Sequence, residues 1–279
     1  MAEVVGVIAG QGRLPVVEAM GLRAAGFSVV GVGLSGQYDA ALPGLCDQFA
    51  EGGIIRLGRW VRGVGRGGAR RAVMVGRVSK ARMYQPWRVV RQLPDWRAAV
   101  LWYRVLRHDR RNAALLTAVA DELLRCGVEL IDTTTYIPEH LALPGAMTRR
   151  GPTAAQAADV AFALPVVRRL IELDIGQALA VKDREVIAVE AIEGTDALIE
   201  RAGRLCRHGG WTLVKVAGPR KDRRFDVPTV GEQTVAKLKA AGAACLAVEA
   251  GGVILVDRAQ VIAAADAAGI AVVGEPVAW

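Results

Sequence analysis

The sequence predicts an α/β protein with two α/β domains, the first Rossmann-like with a parallel sheet and the second with a mixed sheet. Three observations support this. The chain has 279 residues, which exceeds one average domain and suffices for a sizeable core. Aromatic residues make up only 5% and glycine contributes 32 residues, a composition unlike that of a β-sandwich. Short apolar runs also alternate with helical patterns along the chain.

The first domain is predicted to span residues 1–133. The apolar run at 4–9 predicts a strand, a Gly-Gln-Gly turn follows, and a helical pattern covers 14–25 before a second strand at 27–34. This order places the glycine turn at the carboxyl end of the first strand, where open α/β sheets bind ligands. The remaining predicted elements are a strand at 72–76, helices at 97–107 and 112–126, and a strand at 128–132.

A proline- and glycine-rich stretch at 134–152 predicts a linker, and the second domain is predicted to span 153–279. Helices are predicted at 154–173, 195–207, 230–241 and 259–268. Strands are predicted at 177–181, 186–190, 211–216, 244–248, 253–256 and 270–273, with the first two paired. Residues 218–229 carry two prolines and many charges, and we expect an irregular loop there.

The scarce residue types disfavour several classes of enzyme. The four cysteines form no Cys-x-x-Cys pair, so a disulfide framework or a cysteine zinc site is disfavoured and buried reduced thiols are expected. The three histidines form no closely spaced pair, and none of the three serines lies in a Gly-x-Ser-x-Gly motif. No uncharged run reaches the roughly 18 residues of a membrane span, and the start has no signal-peptide features. We therefore expect a cytoplasmic protein.

Positive charge is concentrated in one segment, residues 56–111, which we call the basic segment. It holds 16 basic and two acidic residues, a net charge of +14, whereas the rest of the chain carries −6. Three interpretations stay open, namely a solvated face, contact with an anionic membrane, and binding of single-stranded nucleic acid. The candidate residues for contact with a membrane or a nucleic acid are four tryptophans, Trp60, Trp87, Trp96 and Trp102. Three arginines join them on one helical face, Arg97, Arg104 and Arg107.

The first glycine turn is a candidate phosphate site. Gly10 and Gly12 lie between the first strand and helix, where backbone amides can approach phosphate oxygens. The spacing is Gly-x-x-x-Gly-x-Gly, which is not the dinucleotide fingerprint, and no acidic residue closes the second strand. Ligand binding and a plain tight turn both remain open.

In the second domain, the motif Glu-Gly-Thr-Asp-Ala at 193–197 opens a predicted helix. Thr195 is expected to cap this helix, and the helix dipole favours Asp196 in its first turn. The alternative is a functional one, in which Asp196 or Glu193 stands beside a nucleotide or a metal ion.

The loop at 218–229 is the most suggestive stretch of the second domain. It follows a strand that ends near Lys215, and its cations surround two carboxylates, Asp222 and Asp226. Such cations match an anionic diphosphate, and a carboxylate among them can hold Mg²⁺ or orient water. A charged surface loop without function is the other interpretation. The four cations are Arg220, Lys221, Arg223 and Arg224.

Six motifs occur in order along the chain: GVIAGQGRLP, MTRRGPT, LDIGQALAVKD, VIAVEAIEGTDALI, LVKVAGPRKDRRFDVPTVG and AVEAGGVILVDR. Together they resemble the LpxI-type UDP-2,3-diacylglucosamine pyrophosphatases of lipid A biosynthesis. The resemblance implies a Mg²⁺-dependent hydrolase that forms UMP and 2,3-diacylglucosamine 1-phosphate, two α/β domains with the site between them, and a homodimer. The second half matches over nearly its whole length.

The resemblance also implies site residues. Asp226 lies in the family's Arg-x-Asp-x-Pro-Thr motif and is the expected catalytic residue. Asp226 and Asp196 are the expected metal ligands. The expected substrate-binding residues are Gly10, Gly12, Gln177, Thr195, Lys215, Arg224 and Thr229.

The expected partners follow from the implied substrate, a lipid of the inner leaflet. The basic segment would then contact the inner-membrane surface, and no nucleic-acid partner is expected. One departure keeps alternatives open, because this chain has Asn112-Ala113 where the family commonly carries two aspartates. The alternatives are a catalytically impaired protein that binds nucleotide sugars or lipids, and a hydrolase of another nucleotide-linked substrate.

Overall fold

The computed structural model describes residues 2–78, 95–101, 103, 105, 107, 108, 112–219 and 222–277. The chain divides into two compact units, Met1–Ile137 with Arg223–Phe225, and Pro138–Asp222 with Asp226–Trp279. Among the helices of the described ranges, none combines the length and apolar character needed to cross a membrane.

The first unit contains a five-stranded sheet in which all neighbours are parallel. Its strands are β1 Val4–Ala9, β2 Ser28–Leu34, β3 Gln48–Gly52, β4 Arg71–Val75 and β5 Glu129–Leu130. Their spatial order is β3-β2-β1-β4-β5. The strands at the centre are nearly continuous apolar runs because both faces are covered. The predicted Rossmann-like first domain is confirmed.

Helices cover the two faces of this sheet. They are α1 Leu14–Ala24, α2 Leu57–Arg66, α3 Trp96–Leu101 and α4 Asn112–Arg125. Leu22 of α1 packs with Val7 and Val73 in one cluster, whereas Val64 of α2 and Leu123 of α4 pack in the other. Strand β3 and helix α2 are not predicted from the sequence. Of the helix predicted at 97–107, the structure gives α3, and the positions beyond it are only partly described.

The basic segment contributes partly to the core. Trp60 is only 7% exposed and its indole N–H donates to the carbonyl of Gly53 at 2.9 Å, so Trp60 is a core residue and is removed from the candidates for an interaction surface. Trp96 is 81% exposed. Arg97 pairs with Glu122 at 2.6 Å, and this hydrogen bond raises the pKa of the guanidinium above its usual value. Trp87, Trp102 and Arg104 lie outside the described residues.

The second unit contains a six-stranded sheet and a separate pair of short strands. In chain order the strands are β6 Gly145–Ala146, β7 Ala178–Lys182, β8 Glu185–Val189, β9 Trp211–Lys215, β10 Thr229–Val230, β11 Ala243–Glu249, β12 Ile254–Leu255 and β13 Ala271–Glu275. The sheet order is β6-β13-β11-β9-β7-β8, and β10 pairs with β12. Strands β9, β11 and β13 are parallel, while β7 is antiparallel to β8 and β9. The predicted mixed sheet and paired hairpin strands are confirmed.

The helices of the second unit are α5 Ala154–Glu172, α6 Thr195–Leu205, α7 Glu232–Ala240 and α8 Arg258–Ala268. Val160 and Val167 of α5 pack in one apolar cluster with β7, β9 and β11, and α6, α7 and α8 contribute to another. A capping box begins α5, with the hydroxyl of Thr153 accepting from the N–H of Gln156. The helix predicted at 230–241 begins at Glu232 in the structure, because Val230 belongs to β10.

The four cysteines are free thiols. Cys245 is buried, and burial raises the pKa of its thiol to about 12. The other three are half-buried, so the expectation of fully buried thiols holds for Cys245 and is wrong for Cys46, Cys126 and Cys206.

Candidate active site

Polar side chains gather at one end of the second sheet, where the parallel strands finish. Strand β9 ends at Lys215, Glu190 follows β8, and Gln177 precedes β7, whose Ala178 lies beside Lys215. Helix α6 begins at the same end with Thr195. The carboxyl end of parallel strands is the usual ligand-binding edge of open α/β sheets.

A continuous chain of hydrogen bonds connects these groups. The ammonium of Lys215, which is 5% exposed, donates to Thr195 Oγ1 at 3.1 Å and to the carbonyl of Thr229 at 3.0 Å. Thr195 Oγ1 donates to Glu190 Oε1 at 2.6 Å. Glu190 is 6% exposed, and its Oε2 accepts from the backbone N–H of Gln177 at 3.3 Å. The structure therefore brings together four predicted substrate-binding residues and one unpredicted carboxylate.

Burial makes this chain of hydrogen bonds energetically important. Groups withdrawn from water interact strongly, and a buried charge that loses its partner is costly. The side-chain Oε1 of Gln177 is also buried, and it has no hydrogen-bond partner in the described part of the chain. Any ligand that donates a hydrogen bond there would satisfy it.

The expected role of Thr195 as helix cap is wrong. Gly194, with φ +85°, occupies the cap position of α6, and Thr195 is the first helical residue. A positive φ favours glycine at that position. The Thr195 hydroxyl therefore forms hydrogen bonds with Glu190 and Lys215 instead of capping the first turn of the helix.

Asp196 lies beside a cation of the neighbouring helix. Its carboxylate pairs with the ammonium of Lys237 at 2.6 Å, which joins α6 to α7. Among the described residues, no group of three or more His, Cys, Asp and Glu side chains could hold a metal ion. Metal ligation by Asp196 stays a prediction, and a metal ion there would compete with Lys237.

The Asp226 loop, residues 216–228, connects β9 to β10. At its start, Glu249 Oε2 accepts from the N–H of Ala217 at 2.7 Å and of Gly218 at 3.3 Å. Further along, the N–H of Asp226 donates to the carbonyl of Asp222 at 2.9 Å and closes a turn. Asp226 itself is half-buried. Arg220 and Lys221 lie outside the described residues.

Three residues of this loop, Arg223–Phe225, belong to the first unit. Arg223 pairs with Asp132 at 2.8 Å and donates to the hydroxyl of Thr134 at 2.7 Å. Phe225 packs against the apolar cluster of that unit, and the guanidinium of Arg224 lies 5.6 Å from the centre of its ring. Substrate binding by Arg224 stays a prediction.

The glycine turn of the first unit has a packing explanation at Gly10. Its N–H donates to the carbonyl of Val75 at 2.8 Å, and a Cβ at this position would lie 2.7 Å from the carbonyl oxygen of Arg77. Gly12 has φ +101° and open space around its Cβ position. Contact of Gly10 and Gly12 with a phosphate stays a prediction.

Two family profiles cover this chain almost from end to end. The LpxI N-terminal domain matches residues 4–140, and the LpxI C-terminal domain matches residues 143–273. A relative named UDP-2,3-diacylglucosamine pyrophosphatase LpxI, from Caulobacter vibrioides, is 34% identical over 280 residues, covering 96% of this chain and 96% of its own. The chain belongs to the LpxI family. The resemblance drawn from the motifs is confirmed.

Two functional candidates of this LpxI-family chain were missed from the sequence, namely Glu190 and Glu249. Each is an acidic residue at the end of an apolar run, Val-Ile-Ala-Val-Glu at β8 and Cys-Leu-Ala-Val-Glu at β11. A carboxylate that closes an apolar strand at the ligand-binding edge is the signal that could have identified both.

Proposed function

We propose that this protein hydrolyses the diphosphate of UDP-2,3-diacylglucosamine to UMP and 2,3-diacylglucosamine 1-phosphate, with help from Mg²⁺. The observation that carries the proposal is the full-length similarity to a relative of that name, at 34% identity over 96% of both chains. The polar end of the second sheet supports it, because it gathers a buried cation, hydroxyls and the Asp226 loop.

The proposed reaction needs a positioned water and neutralisation of phosphate charge. Water adds to one phosphorus, the bridging P–O bond breaks, and the carboxylate of Asp226 accepts the proton that the water loses. Lys215 and Arg224 carry the positive charge expected to act on the diphosphate, and Thr195 and Thr229 line the same end of the sheet. No histidine or serine nucleophile is required.

The residues present fit a Mg²⁺ ion held largely by the substrate. Mg²⁺ in phosphate-binding sites commonly uses one or two protein carboxylates together with substrate phosphates and water. Asp226 is a half-buried carboxylate on the loop and fits that role, whereas Asp196 is neutralised by Lys237 at 2.6 Å. When bound, the ion would neutralise charge on the phosphate oxygens.

The test of metal dependence is UMP release by purified protein from UDP-2,3-diacylglucosamine, measured with Mg²⁺ and then with EDTA. We expect release with Mg²⁺ and its loss with EDTA, restored by excess Mg²⁺. Equal rates in both conditions would remove the metal from the proposal. Binding of the substrate without any UMP release would instead favour the alternative, an impaired binding protein, which the Asn112-Ala113 departure motivates.

We also propose that the basic segment contacts the surface of the inner membrane from the cytoplasmic side. In support, Trp96 is 81% exposed and Tyr103 is 63% exposed, with the guanidinium of Arg107 lying 4.1 Å from the centre of the Tyr103 ring. Arg107→Gln with Trp96→Ala should reduce flotation with phosphatidylglycerol vesicles. Arg169→Gln, which removes an exposed arginine of α5, serves as control. Unchanged flotation would indicate that this face is a solvated surface without membrane contact.

A homodimer is proposed on the family resemblance alone. Sedimentation equilibrium tests it directly, because the chain has a mass of 29.6 kDa. A mass near twice that value is expected, and a monomer across the concentrations of the activity assay would refute the dimer.

A further inference from the structure

The Asp226 loop is fixed at its start by a glutamate of a neighbouring strand. Glu249, the last residue of β11, uses a single oxygen, Oε2, to accept from the N–H groups of Ala217 and Gly218. The glutamate side chain packs over Gly252, where an added Cβ would lie 2.6 Å from the Glu249 carboxyl carbon. A side chain at position 252 would therefore displace the Glu249 carboxylate.

The end of the same loop is fixed by the chain of hydrogen bonds that begins at Glu190. Glu190 accepts from the hydroxyl of Thr195, which in turn accepts from Lys215, and Lys215 donates to the carbonyl of Thr229. Because the Thr195 hydroxyl donates its hydrogen bond to the carboxylate, an oxygen lone pair of Thr195 is left to accept from Lys215. Thr229 lies three residues after Asp226.

We propose that Glu190 and Glu249 are positioning residues for the reaction, because together they fix both ends of the loop that carries Asp226. This inference rests on the proposed role of Asp226. Neither glutamate needs to touch the substrate. Displacement of a reacting group by about 1 Å can reduce the rate about 100-fold, so loss of either attachment should appear mainly in kcat.

Glutamine substitutions at the two glutamates give a graded expectation. Only one oxygen of Glu249 accepts the two loop N–H groups, so Glu249→Gln retains an acceptor and should keep most activity. Both oxygens of Glu190 accept from N–H or O–H donors, and a glutamine there retains one acceptor and loses the other. Glu190→Gln should therefore be intermediate between wild type and Glu190→Ala.

The experiment measures two quantities for the full-length protein. The first is kcat and KM for UMP release. The second is the rate of tryptic cleavage between residues 220 and 224, where the loop carries four basic residues. Glu200→Ala is the matched control, because it removes an exposed glutamate of α6. Thermal midpoints confirm that each variant is folded.

We expect Glu190→Ala and Glu249→Ala to lower kcat by about 10- to 100-fold with little change in KM, and to speed cleavage of the loop. Glu249→Gln should restore both values, and Glu200→Ala should change neither. Faster cleavage with unchanged kcat would overturn the positioning role, and unchanged cleavage would overturn the attachment itself. If wild type releases no UMP, the proposed function fails, while faster cleavage in both alanine variants would still support attachment of the loop.

Discussion

Thr195→Val tests the hydrogen-bonded chain at the end of the second sheet. Valine keeps the shape of threonine and removes the hydroxyl that donates to Glu190 at 2.6 Å and accepts from Lys215 at 3.1 Å. The substitution leaves a carboxylate that is 6% exposed and an ammonium that is 5% exposed each without this partner. The variant should therefore destabilise the second unit.

The magnitude follows from the two lost hydrogen bonds. Each bond to a charged group contributes about 1.5–3 kcal/mol, so removing both costs roughly 3–6 kcal/mol before relaxation. Two effects offset some of this loss. The variant no longer has to withdraw a hydroxyl from water on folding, and water can reach the exposed part of residue 195. We expect the free energy of unfolding of the second unit to fall by about 3 kcal/mol.

Hydrogen exchange with mass spectrometry measures this loss in the correct unit. The relevant amides are those in peptides covering β7 and β9 whose exchange requires unfolding of that unit. These amides should exchange about 100-fold faster in Thr195→Val than in wild type. Thr195→Ser retains the hydroxyl and is the control. A change of less than about threefold in Thr195→Val would refute the energetic role of the chain of hydrogen bonds.

Two further perturbations test the first unit. Gly10→Ala should lower the free energy of unfolding by about 1–3 kcal/mol, because its Cβ would meet the carbonyl oxygen of Arg77 at 2.7 Å; Gly44→Ala, which meets nothing within 4 Å, is the control, and equal thermal midpoints would count against the packing explanation. The N–H of Val29 lowers the pKa of Asp47, so the stability that this carboxylate contributes is present above its usual pKa and is lost as pH falls through the lowered value. Asp47→Asn should flatten that acid loss of stability, and an unchanged pH profile would contradict this assignment.

The sequence predicts strands well where burial makes them continuous apolar runs, as in β1 and β9. It fails for α2, whose sequence Leu-Gly-Arg-Trp-Val-Arg-Gly-Val-Gly-Arg contains three glycines that disfavour a helix in isolation. The structure explains one of them, because a Cβ at Gly63 would lie 2.6 Å from a methyl group of Val32. Close packing of α2 on β2 thus overrides local propensity.

In the candidate site, too, residues within sequence motifs are predicted, whereas contacts between distant parts of the chain are not. Motifs identified Gln177, Thr195, Lys215 and Thr229, and the structure places them at one end of one sheet. Glu249 escaped prediction because its contact with the loop joins positions more than 30 residues apart. The Asp196–Lys237 pair depends on the packing of α6 against α7 and has no local sequence signal.

The measurement that tests the central claim most directly compares Asp226→Ala with Asp222→Ala in UMP release from UDP-2,3-diacylglucosamine. Both variants remove one carboxylate from the same loop. The Asp222→Ala variant keeps the backbone carbonyl of residue 222, which accepts from the N–H of residue 226. We expect wild type and Asp222→Ala to release UMP at similar rates, and Asp226→Ala to be slower by about 10²- to 10⁴-fold. Release by Asp226→Ala at the wild-type rate would contradict the proposed mechanism, and no release by wild type would contradict the proposed function.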